Sequence, residues 1–548
     1  MTSRKWLCAL LIFAAGFLCF GRTIGFEFLN WDDVDYIVQN PRIRALDLRR
    51  TFTEPDTAFL PLRTLSFALD YQLWGLQPWG YHLHNVLLYA LSGVLAWLLL
   101  RYLIEDETAA LIGALVFALH PVHTESVAWC SGRKDVLSLC FFLGAFLSYL
   151  RYTREGRFAP YILSIVLFVA AMLSKATTVV LPVLLVLYDI FWRRDRRRTI
   201  ILDKVPFVAL AGAITILGVI VGVGEEAIKP LRQVVPTTLT MFAVFADYLR
   251  EIFIPLNLAP RYEVREITAF GAALPWILIV LFYFVLTFAL IRRVKEWSFA
   301  MLWFVAALLP VMNIVPISTL KADRYLLIPS VMVSIVIAAA AARWRRILPL
   351  TAIVPILFGL LSFQQSGQWA TSRTLWEAAL SRAPRDPIAH YNLAHYLYER
   401  GEIRRAIGHW VEAGDVLLAK AAERQARAGS FEARGDSRRA AAERLTALEI
   451  ERAASECFAN AGTAYYALRD YRNALRNHEA AYRLQPSSYS CNLALLYDYF
   501  KMGRMDEARG VLKRLRQLKR DDAGEAQFRR IAGEAEDLEA LAQRLREP

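Results

Sequence analysis

The chain has 548 residues, of which 56% are hydrophobic and 12% aromatic, and its mean hydropathy is +0.32. Soluble domains usually carry roughly 45–50% apolar residues, so this composition excludes a wholly soluble protein. The 64 Lys and Arg exceed the 51 Asp and Glu, which gives a net charge of +13. In a membrane protein such an excess is expected in the cytoplasmic loops, and no basic patch with interleaved aromatic residues indicates nucleic-acid binding.

The apolar residues are concentrated in the first two thirds of the chain, which predicts an all-α polytopic membrane domain over residues 1–365 and a soluble domain over 366–548. Eleven runs have spanning length, although several are shorter than the roughly 20 residues of a perpendicular helix. They cover about 6–21, 83–103, 108–122, 135–150, 159–174, 177–192, 204–223, 272–291, 298–316, 325–342 and 347–363. No small-x-small cleavage site follows the first run, so we interpret it as an uncleaved span.

Basic loops set the predicted orientation, because Lys and Arg are enriched on the cytoplasmic side. Five such loops are expected there: Arg4-Lys5, Arg151 to Arg157, Arg193 to Arg198, Arg292-Arg293 and Arg343 to Arg346. The segment Thr237 to Pro255 carries Asp247, Arg250 and Glu251, so we interpret it as an amphipathic helix at the outer face. Eleven crossings that begin with a cytoplasmic N-terminus place the C-terminal domain outside.

Three regions then face one another outside the membrane: the first loop at about 22–82, the loop Pro121 to Lys134, and the region 224–271. The first loop carries two adjacent carboxylates, Asp32 and Asp33, directly after the first apolar run. A charge near the hydrocarbon boundary is costly unless it is solvated, paired or used. The pair is therefore a candidate active site. A solvated acidic loop is the alternative, and it is our interpretation of Asp35.

After Trp369 the sequence repeats with a period of 34 residues. Gly401, Gly435, Arg469 and Gly503 stand at one position of the period, and Ala406, Ala440, Ala474 and Ala508 at another. This spacing is typical of tetratricopeptide repeats, in which two antiparallel helices per unit meet at a Gly turn. Four units are predicted at about 387–420, 421–454, 455–488 and 489–522, preceded by a half unit. Their groove would bind extended peptide, and a domain that only spaces or dimerises the chain is the alternative.

Six cysteines are too few for a disulfide scaffold, and no Cys/His spacing resembles a zinc site. Cys457 and Cys491 occupy the same position of adjacent repeat units. Two buried thiols are the expectation here, and a disulfide between neighbouring units outside the membrane is the alternative.

Several stretches of the membrane domain carry a family pattern. They are His120-Pro121-Val122-His123-Thr124-Glu125-Ser126-Val127-Ala128-Trp129, Arg133-Lys134-Asp135-Val136-Leu137-Ser138, Gly80-Tyr81-His82-Leu83-His84-Asn85, Leu173-Ser174-Lys175, and Ala322-Asp323-Arg324-Tyr325-Leu326-Leu327-Ile328-Pro329-Ser330. They resemble the transmembrane-and-tetratricopeptide-repeat O-mannosyltransferases nearly end to end. The Arg133-Lys134-Asp135 sequence is similar to that of the bacterial branch.

The resemblance implies a GT-C glycosyltransferase, a membrane enzyme that takes a sugar from a lipid-phosphate carrier and keeps an acidic pair in its first outer loop. That pattern falls on Asp32 and Asp33, with a slight preference for Asp32 as the base. The implied donor is a polyprenyl-phosphate-linked sugar, and the implied acceptor is Ser or Thr of an exported protein. The implied location is the bacterial cytoplasmic membrane with periplasmic repeats. The sugar, the glycan length and the acceptor protein are left open.

A departing phosphate requires fixed cations. The candidates near the outer face are Arg63, Arg133, Lys134, Lys175 and Arg324, with snorkelling at span ends as the alternative for the last two. The candidates for lining the site or positioning the acceptor are His82, His120, His123 and Glu125. No cofactor is implied beyond the lipid-linked donor, although a divalent cation shared between Asp32, Asp33 and a His is left open.

Together these features predict a GT-C-type glycosyltransferase whose repeats present a protein acceptor. Asp32→Asn or Asp33→Asn is predicted to abolish transfer without loss of folding. One alternative is a lipid or polysaccharide acceptor, for which deletion of residues 369–548 is predicted to be harmless. A non-enzymatic membrane-anchored scaffold is another alternative, and a transporter is a third, although no matching interrupted spans are found in two halves of the chain.

Overall fold

The structure, a computed structural model, describes residues 3–53, 59–193, 197–222, 234–314, 317 and 319–519, and the single residues 521, 526 and 543. Parts of several predicted features lie outside the described residues: a short stretch of the first loop, the basic loop that begins at Arg193, the ends of the spans 204–223 and 298–316, the start of the region 224–271, the end of the unit 489–522, and most of the chain after it. The described residues form helices and no β-strand. The chain divides into two compact units, Met1–Leu375 and Trp376–Pro548.

Sixteen α-helices are described within the first unit, and a further one crosses its end. In chain order the sixteen are α1 (Ser3–Phe20), α2 (Leu48–Thr53), α3 (Pro61–Trp74), α4 (Pro78–Leu103), α5 (Glu107–Ala118), α6 (Thr124–Ala128), α7 (Arg133–Glu155), α8 (Phe158–Ser174), α9 (Leu181–Trp192), α10 (Arg197–Leu202), α11 (Val205–Gly222), α12 (Val234–Phe253), α13 (Phe270–Leu290), α14 (Lys295–Leu308), α15 (Val331–Arg343) and α16 (Leu348–Ser366). The further one is α17 (Ser372–Arg382).

A helix lies at each of the eleven predicted spans: α1, α4, α5, α7, α8, α9, α11, α13, α14, α15 and α16. Six helices in the described part of the chain are long and apolar enough to cross a membrane, and there are seven if α5 and its bent continuation at Pro121–Ala128 form one span. The helices α8, α9 and α15 are apolar but shorter. The chain is therefore built as a multi-pass membrane protein, while the number of crossings and the orientation stay predictions.

Two of these helices present most of their apolar surface to the outside. Only 17% of the apolar stretch of α11, and 17% of that of α13, is buried inside the protein. Leu278, Phe282 and Val285 of α13 are all more than half exposed. Contiguous apolar surface of this kind marks a contact with a membrane or a partner, and lipid is the surrounding that a spanning helix meets.

The segment predicted as an amphipathic helix is α12. Val244, Tyr248 and Ile252 recur every four residues and are buried, whereas Arg250 between them is half exposed and pairs with Asp247 at 3.2 Å. The helix thus buries one face and leaves the other polar, as an amphipathic helix does. Its placement at the outer face stays a prediction.

The first loop is folded rather than extended. It forms short helical turns at Val34–Val38 and Pro41–Arg44 and the helices α2 and α3. Ile37, Ile43 and Phe67 pack with Tyr81 of α4 in a small hydrophobic core of their own. The described part of this loop therefore forms a packed platform that carries the acidic pair.

The beginning of the loop is also held by the chain that follows α16. The Glu27 N–H donates to the Ala370 carbonyl at 3.1 Å, and the Asn30 N–H donates to the Ser372 hydroxyl at 2.8 Å. These two bonds fix the backbone just before the acidic pair. The segment after α16 is therefore part of the platform.

The second unit is a series of helices in which neighbours along the chain pack on one another. They are α18 (Pro387–Glu399), α19 (Ile403–Glu432), α20 (Ser437–Ala467), α21 (Tyr471–Leu484), α22 (Tyr489–Lys501) and α23 (Met505–Leu515). The four predicted turn residues, Gly401, Gly435, Arg469 and Gly503, have φ of 81°, 78°, 61° and 72°. This left-handed region favours Gly, so the 34-residue period corresponds to left-handed turns at helix ends.

Two of the predicted unit boundaries are not helix ends. The helix α19, of 30 residues, runs through the boundary at 420/421, and α20, of 31 residues, runs through that at 454/455. Pro384 and Pro486 interrupt the chain at other boundaries, whereas Lys420-Ala421 and Ala454-Ser455 contain no residue that stops a helix. Two long helices packed side by side therefore replace four short ones.

All six cysteines are free, and Cys457 and Cys491 are both buried. The expectation of two buried thiols in this unit is confirmed.

Candidate active site

The loop between α5 and α7 positions the central residues of the site. After α5 the chain bends by 44° into the helical segment Pro121–Ala128. Gly132 then closes a tight turn, because a Cβ at this position would lie 2.3 Å from the Ser126 carbonyl oxygen. Only Gly allows so close an approach of two backbones. The turn places Ser131 two residues before the start of α7.

Asp33 is fully buried and accepts three hydrogen bonds. Its Oδ2 accepts from the Leu29 N–H at 3.0 Å, and its Oδ1 accepts from the N–H and the hydroxyl of Ser131 at 2.8 and 2.5 Å. Burial raises the pKa of Asp33 to about 6, an effect that these hydrogen bonds oppose. Asp33 thus ties the first loop to the turn before α7, and its carboxylate is closed to a substrate hydroxyl.

Asp32 is the accessible member of the acidic pair. Its side chain is 28% exposed, and its Oδ2 lies 3.5 Å from the Lys134 ammonium. The preceding Trp31 stacks on Trp129 with ring centroids 4.9 Å apart. The structure therefore gives the two adjacent carboxylates different surroundings, and Asp32 is the one that a ligand can reach.

Four of the predicted phosphate-binding cations alternate with three aromatic rings in one line. We call this set the cation–aromatic line; in order it consists of Arg63, Tyr36, Lys134, Trp129, Arg324, Tyr325 and Lys175. The distance from charge to ring centroid runs from 4.2 Å for Arg63 over Tyr36 to 5.9 Å for Lys175 over Tyr325. Aromatic faces attract cations, so these rings hold the four basic side chains next to one another, and Lys134 also lies beside Asp32.

Two buried carboxylates orient the end of the line that contains Arg324 and Lys175. Glu125 accepts from the Arg324 backbone N–H at 2.8 Å and from its guanidinium. Asp135 accepts from the Lys175 ammonium. Both carboxylates are at most 2% exposed. Glu125, predicted to line the site, thus fixes Arg324 in place.

Arg133 does not belong to the line. It is 1% exposed, and its guanidinium donates to Asp70 Oδ2 at 2.7 Å, to the Tyr81 carbonyl at 2.8 Å and to Asn85 Oδ1 at 2.5 Å. Successive residues of a helix point about 100° apart, so Arg133 and Lys134 leave α7 in different directions. Arg133 therefore holds the first loop against α4 and has no free donor pair for a phosphate.

The three predicted histidines are buried and act as internal connections. His120 Nε2 lies 2.9 Å from the Ile252 carbonyl, His123 Nε2 lies 2.7 Å from the Ser330 hydroxyl, and His82 Nε2 lies 3.2 Å from Cys130 Sγ. Each joins segments that are distant in the chain. None of them lines either of the two cavities that border Arg324.

Two cavities are lined in part by Arg324. The first, of about 350 Å³, is lined by Arg324, Lys175, Asp135, Tyr325, Ser138 and Thr177 and by an apolar wall from α14 and the segment after Tyr325. The second, of about 560 Å³, is lined by Arg324, Trp31, Arg261, Tyr262 and Lys321 among others. Both volumes include open solvent at the mouth of the cavity, so the enclosed space is smaller in each.

Metal ligands are not grouped in the described part of the chain, where no three or more His, Cys, Asp or Glu side chains are arranged to hold an ion. Both oxygens of Asp33 accept hydrogen bonds from Leu29 or Ser131, and a cation shared between Asp32, Asp33 and a His stays a prediction.

Several residues of the site are not among those predicted. They are the rings Tyr36, Trp129 and Tyr325, the carboxylate Asp135 and the hydroxyl Ser131. Trp129 and Asp135 flank the turn at Gly132, and Tyr325 directly follows Arg324. The signal that could have identified them is the adjacency of ring and charge within the stretches that carry the family pattern.

Comparison with known proteins agrees with that pattern. The model of the family described as dolichyl-phosphate-mannose-protein mannosyltransferase matches residues 61–223. Protein O-mannosyl-transferase TMTC1 of Mus musculus is 36% identical over 207 residues, 33% of this chain and 22% of that protein. Protein O-mannosyl-transferase TMTC4 of Homo sapiens is 24% identical over 492 residues, 73% of this chain and 65% of that protein.

The extent of these matches is limited. The match to TMTC1 of Mus musculus spans about a fifth of that relative's length. The solved structure of ArnT from Cupriavidus metallidurans bound to undecaprenyl phosphate has a TM-score of 0.38 at 14% identity, over 86% of this chain and 81% of that chain. A likeness of this size supports no inference about fold or ligand. The family model and the two sequence relatives confirm the resemblance found in the sequence: the chain is similar to the protein O-mannosyl-transferases.

Proposed function

We propose that the chain is a membrane glycosyltransferase that moves a sugar from a polyprenyl-phosphate carrier to a Ser or Thr hydroxyl of an exported protein. The observation that carries this proposal is the accessible carboxylate of Asp32, 3.5 Å from Lys134, within a line of four fixed cations. A base for a hydroxyl beside cations for a departing phosphate is what this transfer requires.

In the proposed step, the acceptor oxygen attacks the anomeric carbon of the sugar while the Asp32 carboxylate takes the hydroxyl proton. The bond from the anomeric carbon to the phosphate oxygen breaks, and the polyprenyl phosphate leaves with the electron pair. Arg324 and Lys175 would bind the phosphate at the first cavity, because both line it. Charge-assisted hydrogen bonds from such groups are among the strongest available to a phosphate.

The acceptor would enter from the second cavity. Trp31, which precedes the proposed base, lines that cavity together with Arg324. A segment held there would lie beside Trp31, the residue before Asp32, while the donor occupies the first cavity. The predicted role of the repeats is to capture the exported protein that carries this segment.

Glycopeptide and intact-mass analysis of exported proteins tests the proposal. Cells would carry the wild-type chain, Asp32→Asn or, as a matched control in the same loop, Asp35→Asn, whose side chain is exposed. Loss of a general base lowers a rate by roughly 10²- to 10⁴-fold, so glycopeptides should disappear with Asp32→Asn and persist with Asp35→Asn at equal membrane levels. Unchanged glycopeptides with Asp32→Asn would contradict the proposed mechanism.

A second candidate is a transferase whose acceptor is a lipid or a polysaccharide. The observation that favours it is that the acidic pair, the cation–aromatic line and both cavities all belong to the first unit. A transferase of this kind would work without the repeats. Removal of the repeats therefore distinguishes the two candidates.

The point of truncation matters for this test. Deletion of residues 369–548 would remove Ala370 and Ser372, which bind the first loop, and Trp369, whose ring lies 6.0 Å from that of Trp129. Deletion of 376–548 keeps all three. A protein acceptor predicts loss of glycopeptides with retained binding of polyprenyl phosphate, whereas retained transfer favours the second candidate.

A further inference from the structure

The side chain that stands out beside Arg324 is Asp135, because half of its carboxylate is unused. Asp135 is 1% exposed. Its Oδ1 accepts from the Lys175 ammonium, but its buried Oδ2 has no hydrogen-bond donor in the described part of the chain. Buried polar atoms are nearly always hydrogen-bonded, so an unsatisfied carboxylate oxygen indicates a donor that comes from a ligand or an ordered water.

The surroundings of Asp135 restrict the chemistry of that ligand. Asp135 lines the first cavity with two cations, Lys175 and Arg324, and two hydroxyls, Ser138 and Thr177. The rest of the lining is mainly apolar and includes Ala307, Val311 and Leu327. The cavity thus offers cations for an anion, hydrogen-bonding groups and an apolar surface.

A phosphate and a carboxylate repel each other, so the part of a ligand that faces Asp135 must carry a donor. A hydroxyl meets this requirement, and a hexose joined to phosphate carries several of them next to the anion. We infer that Asp135 accepts a hydrogen bond from a ring hydroxyl of the donor sugar and so makes the first cavity selective for the sugar-carrying lipid over the bare polyprenyl phosphate. The inference rests on the proposed function and names the residue that recognises the sugar.

A direct binding measurement with two kinds of lipid tests this inference. The full-length chain, in lipid nanodiscs, is titrated with polyprenyl phosphate and with polyprenyl-phosphate mannose and glucose. Asp135→Asn keeps the shape of the side chain but replaces one of the two carboxylate oxygens by an NH2 group and removes the negative charge. Because hydrogen bonds to charged groups contribute more than neutral ones, the variant should bind the better of the two sugar lipids about 10- to 100-fold more weakly. Any shift of Lys175 weakens the bare and the sugar-carrying lipids alike, so the loss for the sugar lipid should exceed the loss for polyprenyl phosphate by about 10- to 100-fold.

The bare lipid is the internal control for folding and for the position of Lys175. If Asp135→Asn weakens all lipids equally, Asp135 only orients Lys175 and the inference is wrong. If it weakens none, the unused oxygen is satisfied by water and the inference is likewise wrong. Lys175→Met serves as the matched variant and should weaken binding of the bare and the sugar-carrying lipids alike.

A second measurement requires no variant. The wild-type chain is given deoxy forms of the better sugar lipid, each of which lacks one ring hydroxyl. One of them should bind about 10- to 100-fold more weakly than its parent, and that loss should vanish in Asp135→Asn. Equal binding of all deoxy forms would overturn the inference. A wild-type chain that binds neither polyprenyl phosphate nor the sugar lipids would instead overturn the proposed donor class.

Discussion

Asp33 and Ser131 lie 98 positions apart in the chain and meet through two hydrogen bonds to a single carboxylate oxygen, at 2.8 and 2.5 Å. The contact joins the first outer loop to the turn before α7. It also places the exposed carboxylate of Asp32 within 3.5 Å of Lys134, three positions after Ser131. The buried residue Asp33 therefore fixes the backbone that holds Asp32 next to Lys134.

Ser131→Ala should move the acid side of the pH–rate profile upward. Burial raises the pKa of Asp33 to about 6, and the Ser131 hydroxyl is one of the groups that lower it. Only ionised Asp33 can accept all three of its hydrogen bonds, so the transfer rate should fall as the pH drops through about 6 in the wild type. Without the hydroxyl this midpoint should lie higher. The measurement is the transfer rate against pH, and an unchanged acid limb would contradict the assigned role of Asp33.

Asp33→Asn tests how the same group affects stability. Because the folded pKa of about 6 lies above the ordinary value of 3.8, the folded chain binds the proton more tightly than the unfolded chain does. The stabilisation from this group is fully present below pH 3.8 and is lost as the pH rises through about 6. Asn does not titrate, so the unfolding midpoint of the variant should fall less than that of the wild type over this interval. Parallel plots of the unfolding midpoint against pH for the variant and the wild type would show that the pKa of Asp33 is not raised in the folded chain.

Arg133→Met should lower stability, whereas Lys134→Met should lower the transfer rate, although the two residues are adjacent. Arg133 is paired with Asp70 in a buried contact at 2.7 Å, and loss of one partner of such a pair costs about 3–5 kcal/mol. Lys134 is part of the cation–aromatic line and its side chain is 16% exposed. We expect thermal unfolding to detect the first substitution, and the transfer rate to detect the second with little change in stability. Equal destabilisation by both would contradict the assignment.

Arg469→Gly should stabilise the second unit. Arg469 has φ of 61° at the position where Gly401, Gly435 and Gly503 occupy the other three turns. The left-handed conformation costs a residue with a Cβ roughly 1–2 kcal/mol. Gly avoids this cost, but the greater backbone freedom that it loses on folding offsets part of the gain. The net gain should be about 1 kcal/mol in the free energy of unfolding. Gly435→Arg is the matched reverse change and should destabilise by a similar amount, so a neutral result in both would show that the turns relax.

The helices and the turns could be predicted from local patterns, because apolar runs and Gly spacing reflect the chain over one or two turns of helix. The fused helices α19 and α20 could not, since the predicted period marks units and does not show whether a helix stops between them. The acidic pair could be located, but its division into buried Asp33 and exposed Asp32 depends on Ser131, a contact made across 98 positions. The different surroundings of the Arg133 and Lys134 side chains likewise depend on the residue at which α7 begins.

Glu125→Gln should lower the transfer rate through the position of Arg324. The Glu125 carboxylate accepts from both the backbone N–H and the guanidinium of Arg324 and is 2% exposed, so it fixes a side chain that borders both cavities. Gln retains a single acceptor oxygen and no charge, and the guanidinium is then free to rotate between the cavities. Misplacement by about 1 Å of a group that positions a substrate can cost roughly 10²-fold in rate. We therefore expect kcat to fall by about 10- to 100-fold, while the affinity for polyprenyl phosphate changes much less because Arg324 keeps its charge.

Glu105→Gln, an exposed change in the loop before α5, is the control for expression and insertion. A full rate with Glu125→Gln would mean that Arg324 is held well enough by Trp129 and Tyr325, and a loss of binding without a loss of kcat would place Arg324 in the ground-state complex alone.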